Sequence, residues 1–435
     1  MATLIRKIKS LLGVLACVPT LCISYSVHGI ELNGEFNSGV GSSDNITRTS
    51  QAPISDVFAL VGLKLDVTEE SRRFRTNVQS QFDFLTYLDD TYDDEVIGGL
   101  NGFAEFAVVE ERVAWFVQDN YGQQLFDPFT PSTPSNRENV NFFTTGPTIK
   151  FLRSGRNHAN LDLRYSSENY ELSPDDNDRY SSRVLIGRDI NRRWTVSIGG
   201  LYEELSFDVG SPQRDYDRVE GFVRFGVVGN KNSFEIDAGT TEIESDLSRN
   251  RGPLVRINWT SELSPKSTLI ISGGSAYSDR GGRFRSAQDD ATDLRDTVDI
   301  TTLSAPFREN SFSGRYRVEQ DRTSVNLIAS WIQEDYRGGE PLDRDSYRAE
   351  TLIRRDFSRR VFGTIRVGLF RRDFKYLDRL DKDFLASLGV GFRFGRRLSV
   401  TVNYQYLERD SNIDGSEFTD QRYSIRGVYT PRWMQ

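Results

Sequence analysis

Arginine is the residue type through which this chain could do chemistry. Its 55 basic residues comprise eight lysines and 47 arginines. Arginine's planar, permanently charged fork pairs with carboxylate or phosphate oxygens through two parallel hydrogen bonds. Arg75, Arg164, Arg224, Arg256, Arg315, Arg317, Arg366 and Arg393 all fall on the polar side of segments in which polar and apolar residues alternate. Asp83, Asp162, Glu235 and Asp237 share that side. Such a lattice can brace a wall, or it can present cations to an anionic solute moving past, and spacing alone permits both.

Other chemistry is sparse. Beyond the first thirty residues the chain has one histidine, His158, just after a tight turn, where a solvated turn residue is a simpler reading than a base. A barrel hydrolase built on serine and histidine needs its histidine near the outer rim, and the long loops hold none. Metal sites of the histidine or cysteine type are excluded by count. Gly98-Gly99, Gly199-Gly200 and Gly273-Gly274 lie in or beside strand patterns, where glycine relieves crowding, and are not phosphate loops. The acidic runs Asp89–Glu95, Asp175–Asp178 and Asp289-Asp290 lack the spacing of a calcium loop and read as solvated loop acid. No catalytic residue, metal or cofactor is expected.

The elements that must position these arginines have a period of two. Leu161, Leu163 and Tyr165 alternate with Asn160, Asp162 and Arg164, and Val255, Ile257 and Trp259 alternate with Arg256, Asn258 and Thr260. Leu398, Val400, Val402, Tyr404 and Tyr406 do the same late in the chain. Each such segment is a strand with one apolar and one polar face. Nine tight polar turns, among them Asp189–Arg193, Phe357–Arg360 and Gly395–Arg397, alternate with longer loops such as Leu125–Asn139 and Asp279–Phe307. Short turns on one side and long loops on the other is the plan of a transmembrane β-barrel, with turns periplasmic and loops extracellular. The chain is therefore expected to be all-β, a single antiparallel barrel of about 18–20 strands whose polar face lines the lumen. A propeller or β-helix would show a signature at fixed offset, and none recurs. A barrel this wide admits an aqueous channel unless a loop plugs it. Asp279–Phe307 is long enough to fold inward, though nothing in its composition requires it.

Residues 1–29 read as a signal peptide. Arg6, Lys7 and Lys9 precede the apolar run Leu11–Ile23, with small residues for cleavage near Ser26 to Gly29. Val14-Leu15-Ala16-Cys17 leaves a lipoprotein signal as the rival. Residues 30–435 then form the barrel, with both cysteines, Cys17 and Cys22, removed. Removal takes three cations and no anions, so the net charge goes from −8 to −11, which excludes nucleic acid as a partner. Export of a cysteine-free barrel implies the outer membrane of a Gram-negative bacterium.

Near the start of the barrel, Ser38-Gly-Val-Gly-Ser-Ser-Asp-Asn-Ile-Thr-Arg48 carries a Gly-x-x-Asp-Asn-x-x-Arg turn built on Asp44, Asn45 and Arg48. With the run of hairpins and the stretch Ser272-Gly-Gly-Ser-Ala-Tyr-Ser-Asp279, the chain resembles the putative β-barrel porin type 2 group, found with exopolysaccharide biosynthesis operons. The resemblance implies an outer-membrane barrel and a part in polysaccharide export, and supplies no catalytic residues. The expected partners are membrane lipid and lipopolysaccharide, the barrel-insertion machinery, and, on the export reading, polysaccharide and periplasmic export proteins. A diffusion porin for small solutes and a structural or adhesive barrel are the alternatives. Arg422–Thr430 resembles a closing strand, but Pro431-Arg-Trp-Met-Gln435 follows where such proteins commonly end on an aromatic residue.

Overall fold

The computed structural model describes residues 29–208, 215–246, 248–289, 293–296, 305–336 and 342–431. The expected signal peptide, Cys17, Cys22, Asp290 and Trp433 lie outside the described residues. One unit spans Glu31–Gln435.

Twenty strands of 12 to 18 residues form it. The first seven are β1 (Glu31–Ser43), β2 (Asp56–Glu70), β3 (Phe74–Tyr87), β4 (Glu95–Val109), β5 (Val113–Leu125), β6 (Arg137–Ser154) and β7 (Asn157–Tyr170). The next six are β8 (Asn177–Asp189), β9 (Trp194–Phe207), β10 (Tyr216–Val228), β11 (Asn232–Ser245), β12 (Arg249–Ser264) and β13 (Ser267–Ser278). After a helix, α1 (Arg280–Asp289), come β14 (Phe307–Gln320), β15 (Thr323–Asp335), β16 (Arg344–Asp356) and β17 (Val361–Phe374). The last are β18 (Arg379–Phe394), β19 (Leu398–Ser411) and β20 (Phe418–Tyr429). Each strand pairs antiparallel with the next, and β1 pairs with β20, so the sheet closes on itself. Closure leaves no edge strand, which is what allows a sheet to stand in lipid with every backbone group satisfied. All nine short connections expected from the sequence are present.

Closure rests on a short seam. Phe36↔Tyr429 through Ser43↔Arg422 are its eight pairs, and aromatic Tyr429 is the last strand residue. Pro431 cannot donate a ladder hydrogen bond, which fits an end of pairing there. The Asp44–Arg48 turn locks the seam's outer end. Gln421 N donates to the Asp44 carboxylate at 2.8 Å, Asn45 Nδ2 donates to Thr419 O at 2.9 Å, and Arg48 Nε meets Asp420 at 3.3 Å.

The outward face carries exposed apolar residues at mid-wall, among them Ile198, Val223, Leu388 and Val402. Aromatic residues flank them: Trp115, Trp194 and Phe394 lie toward the short turns, and Tyr180, Tyr202 and Tyr423 toward the long loops. On β9, Trp194 and Tyr202 are separated by about 26 Å along the strand, which at the usual tilt of about 40° is roughly 20 Å of height, somewhat less than the apolar band of about 25 Å of an outer-membrane barrel. Among the described residues no helix is long and apolar enough to cross a membrane. The chain is a closed twenty-stranded antiparallel β-barrel, the architecture in which strands rather than helices cross a membrane.

Candidate functional site

The connection between β13 and β14 folds into the barrel. Its helix α1 packs one side on the wall and turns the other, with Arg283 and Ser286, to the lumen. Phe284 is fully buried against Val140, Phe142 and Tyr170 of β6 and β7. Two glycines allow this approach. A Cβ on Gly122 of β5 would lie 2.0 Å from Gln288 Nε2, and one on Gly281 would lie 2.2 Å from the Glu168 carboxylate.

Ion pairs anchor the loop to strands all round the wall. Asp279 takes both guanidinium nitrogens of Arg179 at 3.0 Å and the Tyr216 hydroxyl at 2.9 Å. Arg179 also holds Glu168 at 2.6 Å and Glu203 at 3.1 Å, and all four groups are buried. Burial alone would raise the Asp279 carboxyl, but Arg179, aided by Arg218 and the Gly282 amide, holds it well below the usual carboxylate range. Arg280 pairs with Glu138 and Asp175 and lies 4.2 Å over the Tyr170 ring. Arg283 approaches Glu309 and Glu334 on the opposite wall at 3.6 and 3.5 Å. Farther along, Arg295 meets Asp83 on β3 at 2.9 Å, and Asp296 meets Arg366 on β17 at 2.7 Å. The described residues of the loop, 279–289 and 293–296, thus reach both sides of the lumen as a constriction.

A second loop lies across the mouth. Residues 126–136, between β5 and β6, are tied internally by Asn136, whose Nδ2 donates to Asp127 O and Thr130 O, both at 2.9 Å. Phe129 packs on Phe374 with ring centroids 5.0 Å apart and joins the buried cluster of Phe307, Tyr336 and Leu342. Arg379 donates to Phe129 O at 2.7 Å, and Arg48 reaches Ser132 O. β5 and β17 lie eight strand-to-strand steps apart round a wall of twenty, so this loop reaches nearly the far side.

These contacts identify the inner face of each strand, and strand alternation carries it along the wall. Arg75 lies on the face of Asp83 and meets Glu105 at 3.4 Å. Asp162 and Arg164 pair at 3.2 Å on the face of Glu168, with Arg164 over the Phe116 ring at 4.9 Å. Arg224 grips Asp237 at 2.7 and 2.9 Å and Glu235 at 3.2 Å. Arg256 forks onto Glu220 at 2.9 and 2.6 Å. Arg315 and Arg317 share the face of Glu309; Arg317 is solvent-exposed toward the short turns. Arg366 meets Glu350 at 2.9 Å, and Arg393 meets Asp356 at 2.7 Å beside a short turn. His158 opens β7 at the short-turn end. The glycine pairs sit in strands: a Cβ on Gly199 would meet the Phe222 ring at 2.3 Å. Of the acidic runs, Asp175 binds Arg280 and Glu95 binds Arg137 at 3.1 Å. The Asp289 side chain lies outside the described residues.

Between the inward loop and the β12–β17 wall lies a chamber of about 620 Å³. Arg218, Arg256, Arg283, Arg315 and Arg348 line it, while Asp296 and Glu309 are the carboxylates among its lining residues. Glu220 and Glu350, which balance Arg256 and Arg348, are 3% and 4% exposed and stand behind their guanidinium groups. At Arg256 and Arg348 a solute in the chamber therefore meets guanidinium nitrogens before the carboxylates that balance them.

Sequence patterning missed the groups that seat the constriction, namely Glu138, Glu168, Arg179, Asp279 and Arg280. Each lies in or beside a loop, where period-two patterning fades. The available hint was four arginines inside the otherwise acidic 279–306 segment, since an arginine-bearing loop has a counterpart in acids on an inner wall.

Residues 283–428, from within α1 to β20, match the model of the family described as putative beta-barrel porin 2. It is the family that the Asp44–Arg48 turn resembles, and the turn lies outside the matched residues. No curated protein matches. Among solved structures, a point mutant of the ferric enterobactin receptor PfeA from Pseudomonas aeruginosa has 8% identity and a TM-score of 0.47, covering 92% of this chain and 80% of that one. A BenF-like porin from Pseudomonas fluorescens Pf-5 (8% identity, TM-score 0.37) and OpdK from Pseudomonas aeruginosa with vanillate (10%, 0.36) each cover 92% of this chain and 99% of theirs. These likenesses say nothing about the solute of this porin-like barrel.

Proposed function

We propose that this porin-like barrel is a constricted outer-membrane channel that prefers anions. The observation that carries the reading is the chamber, where Arg256 and Arg348 line the route and their balancing carboxylates, Glu220 and Glu350, are buried behind them. Behind a low-dielectric wall such cations attract anionic groups over distances of roughly a Debye length, about 10 Å at 0.1 M salt. The purified barrel in a planar bilayer is expected to show a reversal potential of anion-preferring sign under a salt gradient. Arg256→Gln with Arg348→Gln is expected to move it toward zero. Cation preference in the parent protein overturns the proposal.

The family resemblance adds a physiological setting, passage of an exopolysaccharide, and the arginines favour an acidic one. In a deletion strain, secreted polymer is expected to fall while periplasmic polymer accumulates. Unchanged fractions in all compartments remove the polysaccharide and leave a diffusion channel for small anions.

A further inference from the structure

The nine short turns, taken as the residues between consecutive strands, hold thirteen cations and three acids. The ten connections at the other end are acidic in balance, so the charge of the chain is sorted by end. Two of the turns stand side by side. Residues 357–360 join β16 to β17 and residues 395–397 join β18 to β19, and the β17–β18 pairing beginning at Val361↔Phe392 sets them together. Arg393 N donates to Arg360 O at 2.7 Å and Thr430 N donates to Arg397 O at 2.9 Å, which fixes both turns against their neighbours.

Arg359, Arg360, Arg396 and Arg397 lie on these turns, and none makes an ion pair within the described residues. The nearby acid, Asp356, is taken by Arg393. Directly beside the arginines the outer wall exposes Phe357 at 59%, Phe392 at 46% and Phe394 at 62%. Phe357 lies against Gly363, where a Cβ would come within 2.8 Å of its ring, so it rests on the outward surface of the sheet. The pattern is four uncompensated guanidinium groups one step beyond an aromatic belt, at the depth where lipid headgroups begin.

We infer that the paired 357–360 and 395–397 turns form a binding site for an anionic phospholipid of the leaflet facing the short turns. The phosphate and glycerol oxygens take the forks of Arg359, Arg360, Arg396 and Arg397, and the acyl chains lie along Phe357, Phe392 and Phe394. Arginine fits this task because its donors reach phosphate two at a time and its weakly hydrated plane tolerates a half-apolar setting. A barrel of net charge −11 over residues 30–435 is otherwise repelled by an anionic bilayer, so any preference it shows must come from a local surface. The inference is independent of the solute the channel carries.

The test uses the full barrel, residues 30–435, in phosphatidylcholine vesicles doped with spin-labelled phosphatidylglycerol or phosphatidylcholine, reading the motionally restricted fraction by electron paramagnetic resonance. Phosphatidylglycerol is expected to be favoured by roughly fivefold or more, a ratio that falls toward one in 1 M salt. The quadruple variant Arg359→Gln, Arg360→Gln, Arg396→Gln, Arg397→Gln is expected to lose most of the preference, and Arg192→Gln with Arg193→Gln to lose much less. Equal restriction of the two lipids by the parent protein, or a preference that survives 1 M salt, overturns the site without any variant having to fold. Binding of soluble polygalacturonate through these arginines with no lipid preference overturns it in favour of an acidic polymer.

Discussion

Arg179→Leu is expected to raise single-channel conductance several-fold while leaving the barrel folded. The guanidinium of Arg179 is shared by Glu168, Glu203 and Asp279, each within 3.1 Å and each nearly inaccessible to water. Removing the cation leaves carboxylates facing one another in a dry site, and stranding buried charge in this way costs about 3–5 kcal/mol. The wall cannot relieve that cost, because Glu168 and Glu203 are held in paired strands. The loop can, by carrying Asp279 out of the lumen, and the same energy is a shift of more than about a hundredfold in its inside-to-outside ratio. Barrel integrity is checked by resistance of the folded species to detergent on an unheated gel. Conductance equal to that of the parent, with the loop equally resistant to protease, would sink the anchoring role. Acidification supplies a second arm. A carboxyl held below its usual value contributes stability above that value and loses it only as the pH falls to the lower one. Asp279 is depressed in this way, so Asp279→Asn is expected to differ from the parent at pH 4 as it does at pH 7. Convergence of the two at pH 4 contradicts the assignment.

The roof is expected to yield to one substitution as well. Phe129 is half-buried, with its ring against Phe374 and the cluster of Phe307, Tyr336 and Leu342. Truncating a fully buried phenylalanine costs about 3–5 kcal/mol, and a half-buried one roughly half as much. Phe129→Ala is therefore expected to free residues 126–136 from the far wall. Beyond residue 29 the chain has no cysteine, so Ser286→Cys, on α1 beneath the roof, reports access cleanly. Its reaction rate with a bulky maleimide added outside is expected to rise at least about tenfold in the Phe129→Ala background. An unchanged rate means that the roof stays shut by its polar contacts, Arg379 to Phe129 O and Arg48 to Ser132 O, and that Phe129 is incidental. The two substitutions act on different layers, so the conductance rise of Arg179→Leu and the access gain of Phe129→Ala are expected to combine in the double variant.

The wall was legible in the sequence and the lumen's contents were not. Alternation such as Leu161-Asp162-Leu163-Arg164 has a period of two only if the backbone is extended with unlike surroundings on its two faces, so strand, face and turn follow from local pattern. The nine tight turns between such segments determined the antiparallel order, and with no apolar helix to span lipid, closure was the remaining way to satisfy the backbone. Residues 283–428 match the model of the family that the Asp44–Arg48 turn resembles, and the turn itself lies outside that stretch.

Tertiary structure decided where the charges meet. Arg179 and Asp279 are a hundred residues apart and Arg295 and Asp83 are 212 apart, and no periodicity connects a loop to a wall it reaches only after the barrel has closed. A loop's path is set by partners supplied from distant strands, such as the Glu138 carboxylate under Arg280, the bare Gly122 that admits Gln288, and the Phe374 pocket that receives Phe129. Local pattern tells which way a side chain points; only the closed ring of strands tells what it points at.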